Sequence, residues 1–567
     1  MGMSPAWEER AQSPAWALAL ALAFSLLAML GTPWTRLPHT ALYVADHVIL
    51  AQAAAQSLAE GGFPLREMPH AWLKQYPGLE RYPIFQFYSE APPLLGGLLV
   101  LAGFNPYHAV VMVAALLFAI GFMGMRRLAR CAGGSAAASL LAAALYTLAP
   151  YHLTDWHARA ALSELAAFAF LPWVAASTWR LVQGLDWREF FGGAFAWALL
   201  MHSHPLFNAF GMLFMAALAL GMALPPGNWR GLLRAGGAYA AGLALSAWFL
   251  VPGLVLGPHM VVASTFHAQE AANLTPLWVL FSPWRVWAPQ CSIDNLGLQV
   301  GVLLWAGWIV ALFLSRSRRN SLLLMLAGLA LFMVWAPVPI WSLLGPLNAI
   351  QFPYRLLVFV CLAGALPAAE GWLALQSHYR WVLALLLLMS LLVVWDMDSE
   401  GSIPVRPQEA WQGLEVSRVP IGEEAYTVSL NGPWEAELGL GRFRSFDSRR
   451  EFEVSAQDRS VRLKSVEMGP QVRLRLDGVE QGTILLLPCF WYPGYYEFSI
   501  NGRPAEYGRV GVRLAVRLPA GNDDVRYHFH GLPWANWVSG LAWVFFLAFL
   551  AVYAIWQRWV KAGEGSQ

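Results

Sequence analysis

Charged residues are scarce in this chain. Only 13% of its 567 residues are Asp, Glu, Lys or Arg, whereas about 25% is typical of a soluble domain. Hydrophobic residues make up 57%, and they come in blocks of about 18 to 22 residues that can cross a membrane as helices. This composition excludes an ordinary soluble globule and predicts an all-α polytopic protein embedded in membrane lipid. The net charge of +2 gives no indication of a nucleic-acid partner.

Cysteine is also rare, and four cysteines are too few for a disulfide framework. Two of them, Cys291 and Cys489, face outward in the topology below and could pair. Cys131 is predicted to be cytoplasmic and Cys361 to lie inside the membrane. A clean cleavage site is missing after the first apolar run, so this run is predicted to be a retained helix and not a signal peptide.

The apolar blocks predict about twelve membrane spans. They are 15–33, 108–125, 135–150, 163–179, 190–203, 206–224, 233–252, 297–314, 321–337, 355–371, 381–396 and 535–556. Six short Arg-rich stretches, near residues 126–130, 180–188, 230–234, 316–319, 380 and 558–561, each follow an even-numbered span. The positive-inside rule makes these stretches and both termini cytoplasmic, and it puts segments 34–107, 151–162, 253–296 and 397–534 outside.

Two outward segments have structure of their own. Segment 34–107 has a helical pattern over Asp46–Ala59 and a short apolar helix over Ala91–Leu101, which is too short to span and is expected to lie along the interface. Segment 397–534 has short alternating strands and a tight turn at Asn501-Gly502. The predicted division is therefore a transmembrane domain over 1–396, an extracytoplasmic β-sandwich-like domain over 397–534, and a last helix with a cytoplasmic tail over 535–567.

Ionisable residues near a membrane are costly, so their clustering indicates function. Asp46 follows the first span, and the next outward loop carries Asp155, Arg159 and Glu164. If a helix begins near Asp155, these three residues share one face. The alternative is that Asp155 is an ordinary helix N-cap and Arg159 lies on a helix surface.

Several stretches, in their order along the chain, resemble the GT-C class of membrane glycosyltransferases. They resemble more closely a bacterial membrane family named after 6-pyruvoyl-tetrahydropterin synthase, and the large membrane proteins of teichoic-acid glycosylation. The name suggests pterin chemistry, but the chain lacks anything like the histidine set of the soluble pterin enzymes. The stretches that carry the resemblance are Asp46–Arg66, Tyr82–Tyr88, Tyr151–Glu164, Gln351–Arg355 and Tyr492–Tyr495.

The resemblance implies transfer of a sugar, with inversion, from a polyprenyl-phosphate donor to an extracytoplasmic glycan, lipid or protein acceptor. Such a reaction needs a carboxylate to take the acceptor proton and cations to neutralise the phosphate. Asp46 is then the expected general base. Asp155 would bind a divalent metal, Mg²⁺ or Mn²⁺, or orient Arg159. Arg355 is the first candidate for the donor phosphate and Arg159 the second, with a snorkelling arginine as the alternative for Arg355.

Further pocket candidates each have a plain alternative. Lys74 and Arg81 could contact the donor phosphate but are by default solvated charges, and the histidines more often serve as structural hydrogen-bond donors. The aromatic residues of the β-domain, among them Trp491 and Tyr495, could stack on sugars or fill the domain core. The other pocket candidates are His47, Tyr82, Tyr88, Glu90, His152, Glu164, His202, His204, His267 and Glu270.

Two other classes of function fit the same topology. A transporter or flippase of lipid-linked sugars also has many spans, but the chain has no internal repeat or paired broken helices in matching halves. A non-catalytic scaffold for envelope biogenesis would not need the acids. The expected location is the inner membrane of a bacterium, with the active face outward.

Overall fold

The computed structural model describes most of the chain. The described residues are 13–34, 36–37, 41–68, 81–260, 275–282, 298–336, 338–350, 352–375, 403–404, 444–445, 451–453, 462–467, 469, 471–511 and 513–564. Within them, seven helices are long and apolar enough to cross a membrane. These are Pro106–Cys131, Ala136–His157, Leu162–Gln183, Pro205–Ala223, Arg318–Trp335, Pro353–Ala374 and Pro533–Gln557.

The first half of the chain is almost entirely helical. Its helices are α1 (Pro14–Ala28), α2 (Ala41–Ala59), α3 (Ile84–Phe87), α4 (Ala91–Leu101), α5 (Pro106–Cys131), α6 (Ala136–Thr147), α7 (Pro150–His157), α8 (Leu162–Gln183), α9 (Trp187–Ser203), α10 (Pro205–Ala223), α11 (Trp229–Leu245) and α12 (Ala247–Leu256). Several begin with proline in the first turn, where its missing N–H costs nothing. Side-chain caps also mark starts: Ser135 accepts from the amide of Ala138, and Asn105 from that of Tyr107.

The later helices are α13 (Leu277–Leu280), α14 (Val302–Leu314), α15 (Arg318–Trp335), α16 (Val338–Ser342), α17 (Leu357–Ala374) and α18 (Pro533–Glu564). Small residues let several of them pack closely. Gly364 leaves room for the Trp308 ring, whose Nε1 donates to the Gly364 carbonyl at 2.9 Å, and Gly371 lies against the backbone of Gly307. Helix α18 is the least buried of the seven candidate spans, because only 11% of the residues in its apolar stretch are buried in the protein.

The predicted count of twelve spans is not reproduced. The predicted spans 15–33, 190–203 and 297–314 correspond to α1, α9 and α14, which have 15, 17 and 13 residues. The single span predicted at 233–252 is instead α11 and α12, bent by 83° at Ser246. Span 381–396 lies outside the described residues. The inside–outside topology stays a prediction.

In the segment 34–107, which was predicted to be the first outward segment, the described helices α2 and α4 pack against each other and against α5. The predicted helix over Asp46–Ala59 begins five residues earlier as α2, and the predicted helix Ala91–Leu101 is present with those bounds as α4. The two pack tightly because Gly97 has no side chain: a Cβ there would lie 2.8 Å from the Ala55 nitrogen. This contact sets the position of α2 relative to α4, and with it the position of Asp46.

Twelve short strands are described. They are β1 (Arg36–Leu37), β2 (Ile403–Pro404), β3 (Arg444–Ser445), β4 (Glu451–Glu453), β5 (Arg462–Glu467), β6 (Gln471–Val479), β7 (Ile484–Phe490), β8 (Tyr496–Ile500), β9 (Arg503–Pro504), β10 (Tyr507–Val510), β11 (Arg513–Arg517) and β12 (Gly521–Phe529). One five-stranded sheet has the order β3-β10-β11-β7-β4, and another has β5-β6-β12-β8-β9. The predicted turn at Asn501-Gly502 joins β8 to β9, with φ of 52° and 77°. The prediction of a β-rich C-terminal region is confirmed.

The two sheets share one hydrophobic cluster, which also includes residues of the first outward segment. Tyr82 packs edge-on against Phe490 at 5.6 Å between ring centroids, and Phe87 stacks on Tyr492 at 5.4 Å. The hydroxyl of Tyr495 donates to the carbonyl of Pro252 at 3.2 Å. The β-region is therefore fastened to the helical part through buried aromatic residues.

Candidate functional site

Asp155, Arg159 and Glu164 meet across a break between two helices. Asp155 lies in the last turn of α7, Arg159 in the turn that follows, and Glu164 in the first turn of α8. At the break, Ala160 has a φ of +47°, a value outside the helical region, so the chain changes direction there. The prediction that the three residues share one face of a single helix is wrong, and so is the N-cap alternative for Asp155. They converge because the chain turns between them.

Glu164 is the centre of this group. Its two carboxylate oxygens accept from Nη1 and Nη2 of Arg159, both at 2.8 Å. Arg355 approaches the same carboxylate through Nε at 2.8 Å. Arg159 also forms an ion pair with Asp155, whose side chain is fully buried. Asp155 on α7 and Glu164 on α8 supply two negative charges. Arg159, and Arg355 in the turn before α17, supply two positive charges, so the four side chains neutralise one another.

Aromatic side chains enclose the charges. The Arg159 guanidinium lies 5.2 Å from the ring centre of Tyr354, and Tyr151 donates to Glu164 at 3.4 Å. Burial alone would lower the pKa of Arg159, but the negative charges of Glu164 and Asp155 outweigh it and hold that pKa well above its usual value. Arg159 is therefore a permanent cation in an apolar surround.

Helix α2 brings Asp46 and His47 to the same place. Asp46 is 6% exposed, and its charge acts on the buried hydroxyl of Tyr88, as do the charges of Glu164 and Arg355. The side chain of Ser163, next to Glu164, also acts on the Tyr88 hydroxyl. His47 accepts a hydrogen bond from the amide of Leu162 at 3.3 Å through Nε2. The acid predicted as general base therefore faces the same tyrosine as Glu164 and Arg355 do.

Burial dominates the protonation of His47. Desolvation lowers its pKa from 6.5 to about 4, although a hydrogen bond with the backbone of Ala160 opposes the shift. His47 is therefore neutral at physiological pH. Because Nε2 accepts the Leu162 amide, the ring holds the α7–α8 break against α2 rather than supplying charge.

Glu90 and His202 form a neighbouring pair. The His202 Nδ1 lies 2.9 Å from a Glu90 oxygen, and the other Glu90 oxygen accepts from the amide of Leu65 at 3.3 Å. The His202 ring stacks on Trp248 at 5.4 Å. This pair joins α9, α12 and the first outward segment, so its contacts are those of a structural connection.

The other two described histidines that were predicted for the pocket, His152 and His204, differ in position. His152 packs between the rings of Tyr146 and Phe168, at 4.3 Å and 3.9 Å, and belongs to the helix core. His204 lies near the Glu164 carboxylate, which acts on its ring, and packs edge-on to Phe207. Among the histidines predicted for the pocket, His47 and His204 are the two that adjoin the charge cluster within the described chain.

The remaining predicted residues lie elsewhere. Arg81 pairs with Glu67 at 3.3 Å and donates to the Gly469 carbonyl at 3.0 Å, so with Tyr82 it joins the first outward segment to the β-region. Its predicted contact with the donor phosphate has no support in this position. The predictions for Lys74, His267, Glu270 and Cys291 fall outside the described residues.

The β-domain aromatics proposed for sugar binding are mostly core residues. Trp491, Tyr492, Tyr495 and Tyr496 are all at most 4% exposed. The alternative that they fill the domain core therefore describes these four. The sequence left both possibilities open because turn-flanking aromatics have the same pattern in either case.

Among the described residues, Asp155 is not joined by enough other side chains to form the divalent-metal site that was expected there. Its Oδ1 is engaged by Arg159, and no group of three His, Cys, Asp or Glu side chains converges in the described part of the chain. Asp155 Oδ2 is buried without a hydrogen-bond partner among described residues, so it offers one further acceptor. Of the two predicted roles, the orientation of Arg159 is the one that a contact supports.

Three members of the cluster were not predicted as site residues. Tyr151, Ser163 and Tyr354 all adjoin predicted residues in sequence and surround Glu164 in space. The sequence did contain a clue to the two tyrosines, because Tyr151 and Tyr354 belong to the stretches that carry the family resemblance. Sequence alone gives no reason to distinguish them from belt aromatics, since each sits at a helix end.

The apolar helices and the β-rich region define a polytopic membrane protein. A family model described as "6-pyruvoyl-tetrahydropterin synthase related domain; membrane protein" matches residues 85–402, which is more than half of the chain. The chain belongs to this family, which confirms the resemblance found in its sequence.

Two solved structures are similar in part. Arabinofuranosyltransferase AftD from Mycobacteria shares 21% identity with a TM-score of 0.42, covering 70% of this chain and 27% of that one. The oligosaccharyltransferase of Archaeoglobus fulgidus shares 14% with a TM-score of 0.41, covering 75% and 61%. The chain thus spans about a quarter of the first protein and less than two thirds of the second. A sequence comparison with curated proteins finds no match.

Proposed function

We propose that this protein is a membrane glycosyltransferase that moves a sugar from a polyprenyl-phosphate donor to an extracytoplasmic glycan, lipid or protein. The observation that carries the proposal is a buried cluster of Glu164 with Arg159 and Arg355, which borders the Tyr88 hydroxyl together with Asp46. A carboxylate next to fixed cations is what transfer from a phosphate-linked sugar requires. The four charged residues come from three separate stretches of the family resemblance.

In the proposed reaction Asp46 takes the proton of an acceptor hydroxyl. The acceptor oxygen attacks the anomeric carbon, the bond from that carbon to the phosphate oxygen breaks, and polyprenyl phosphate leaves with the electron pair. A single displacement inverts the anomeric configuration, whereas retention would need a second, nucleophilic carboxylate. The charge on the departing phosphate is met by Arg355 and Arg159.

Glu164 has a definite part in this proposal. Buried arginines need a negative partner when no substrate is present, and Glu164 supplies it through three contacts of 2.8 Å. Its contact with Arg355 uses Nε, so the terminal nitrogens of that side chain are the ones that a phosphate would engage. Glu164 is therefore a positioning residue, and Asp46 is the one expected to touch the acceptor.

The test uses the full-length protein in lipid nanodiscs with a panel of polyprenyl-phosphate sugars. Membranes from a strain lacking the gene supply the acceptor, and release of polyprenyl phosphate is followed by mass spectrometry. The expected result is release with one donor, reduced at least a hundredfold in Asp46→Asn. Glu370→Gln, which removes a carboxylate from the Arg319 pair at another site, is the matched control.

Two outcomes would overturn the proposal. If Asp46→Asn released polyprenyl phosphate at the rate of Glu370→Gln, Asp46 would not be the base. If no donor in the panel were cleaved in nanodiscs, and the same donors crossed the bilayer of sealed proteoliposomes unchanged, the protein would be a transporter.

A further inference from the structure

A cavity lies between the end of α8, the start of α9 and the later turns of α18, far from Asp46 in the sequence. Its volume is about 600 Å³, within the range of sites for small molecules. Its lining includes Arg180, Arg188, Trp187, Tyr553 and Trp556. The glycosyl-transfer proposal uses none of these residues.

The cavity is charged on one side and aromatic on the other. The Arg188 guanidinium lies 5.0 Å from the ring centre of Tyr553, and its Nε donates to the Tyr553 hydroxyl. Gln557 donates to the same hydroxyl at 2.8 Å. This arrangement holds the arginine fork in a fixed position. The lining carboxylate, Asp186, accepts from the backbone amide of Arg188 at 2.9 Å, so it already has a partner.

Lipid has direct access to this cavity. Helix α18, which forms one wall, keeps almost all of its apolar surface outside the protein core. Trp187 and Trp556 are 52% and 56% exposed at the cavity, and Leu185 is 54% exposed beside them. Exposed tryptophans next to arginines are typical of the level where lipid head groups lie. The acyl chains of a bound lipid would follow α18, and its head group would meet the arginines.

We propose that this cavity binds the phosphate head group of an anionic phospholipid, such as phosphatidylglycerol or cardiolipin. Arg180 and Arg188 recognise the phosphate, and the tryptophans contact the glycerol region. Basic pockets between membrane helices bind such head groups in preference to zwitterionic ones. The inference is independent of the proposed transferase activity.

The test measures lipid binding to the delipidated full-length protein by native mass spectrometry. Phosphatidylglycerol is titrated alongside phosphatidylcholine of the same chain length and soluble glycerol phosphate. We expect phosphatidylglycerol to bind most tightly, and each of Arg180→Gln and Arg188→Gln to lower its affinity about fivefold. Arg230→Gln is the matched control, because Arg230 is also exposed, lies over a tryptophan at 5.7 Å and does not line the cavity.

Three results would overturn the proposal. One is that neither cavity variant loses more phosphatidylglycerol affinity than Arg230→Gln does. Another is equal binding of phosphatidylcholine, and a third is binding of glycerol phosphate as tightly as of the lipid, which would indicate a soluble phosphate site. If Arg188→Gln fails to fold, the comparison of Arg180→Gln with Arg230→Gln alone decides, with the same fivefold loss expected for Arg180→Gln.

Discussion

Replacing Glu164 with glutamine is the sharpest structural perturbation of the charge cluster. The substitution keeps the size of the side chain but removes its charge. Among the described residues, Arg159 would then keep its ion pair with Asp155, and Arg355 would lose its ion pair with Glu164. The side chains of Glu164 and Arg159 are 4% and 13% exposed, so water cannot replace the lost partner.

The expected cost is about 3–5 kcal/mol, because removal of one partner leaves buried charge uncompensated. The matched control is Glu370→Gln, whose carboxylate pairs with Arg319 and accepts from Asn320 at 2.8 Å. That pair is more exposed, at 15% and 21%, so its loss should cost roughly 1–3 kcal/mol.

The assay is equilibrium unfolding of the full-length protein in mixed detergent micelles, followed by tryptophan fluorescence. The double variant Glu164→Gln with Arg355→Gln should recover part of the loss, with a coupling of about 0.5–3 kcal/mol. If Glu164→Gln were no less stable than Glu370→Gln, the cluster would not be the buried ion network described above.

Three further predictions concern pH, backbone and packing. Burial lowers the pKa of His47 from 6.5 to about 4. Between pH 6.5 and pH 4, unfolding therefore takes up a proton. The free energy of unfolding should fall by up to ~1.4 kcal/mol per pH unit as the pH drops through this window. His47→Gln should flatten that slope by about one proton in unfolding curves recorded from pH 7 to 4, and an unchanged slope would contradict the assignment. Ala160→Val should cost at least ~1 kcal/mol, since a β-branched residue disfavours positive φ, whereas Ala160→Gly should be tolerated; equal melting temperatures for both would refute the strained turn. Gly97→Ala should lower the melting temperature because its Cβ would lie 2.9 Å from the Ala54 Cβ, whereas Gly236→Ala, with open space around it, should not.

Local signals predicted the parts of the fold that depend on few residues. The bounds of α4 follow from the prolines at its start, and the β8–β9 hairpin follows from Asn501-Gly502, since both positions need positive φ. The order of acids and arginines along the chain predicted one site for Asp46, Asp155 and Arg355, and Asp155 and Arg355 both lie at the Arg159–Glu164 ion pair.

Tertiary contacts decided what the sequence could not. Ala160 has no preference for positive φ, so nothing local predicted the break that brings Glu164 to Asp155. The break is held by the Ala161 amide, which donates to the Asp155 carbonyl at 2.8 Å, and by the Leu162 amide on His47. The 83° bend at Ser246 was missed for a similar reason, because hydropathy is continuous across it.

The most direct test of the proposed function is complementation of a strain that lacks the gene, followed by mass spectrometry of its surface glycans and lipid-linked sugars. Wild-type protein and Glu370→Gln should restore the missing sugar, while Asp46→Asn, present in the membrane at the same level, should leave its lipid-linked donor accumulated. Restoration of the sugar by Asp46→Asn to the wild-type level would contradict catalysis by the Asp46 cluster.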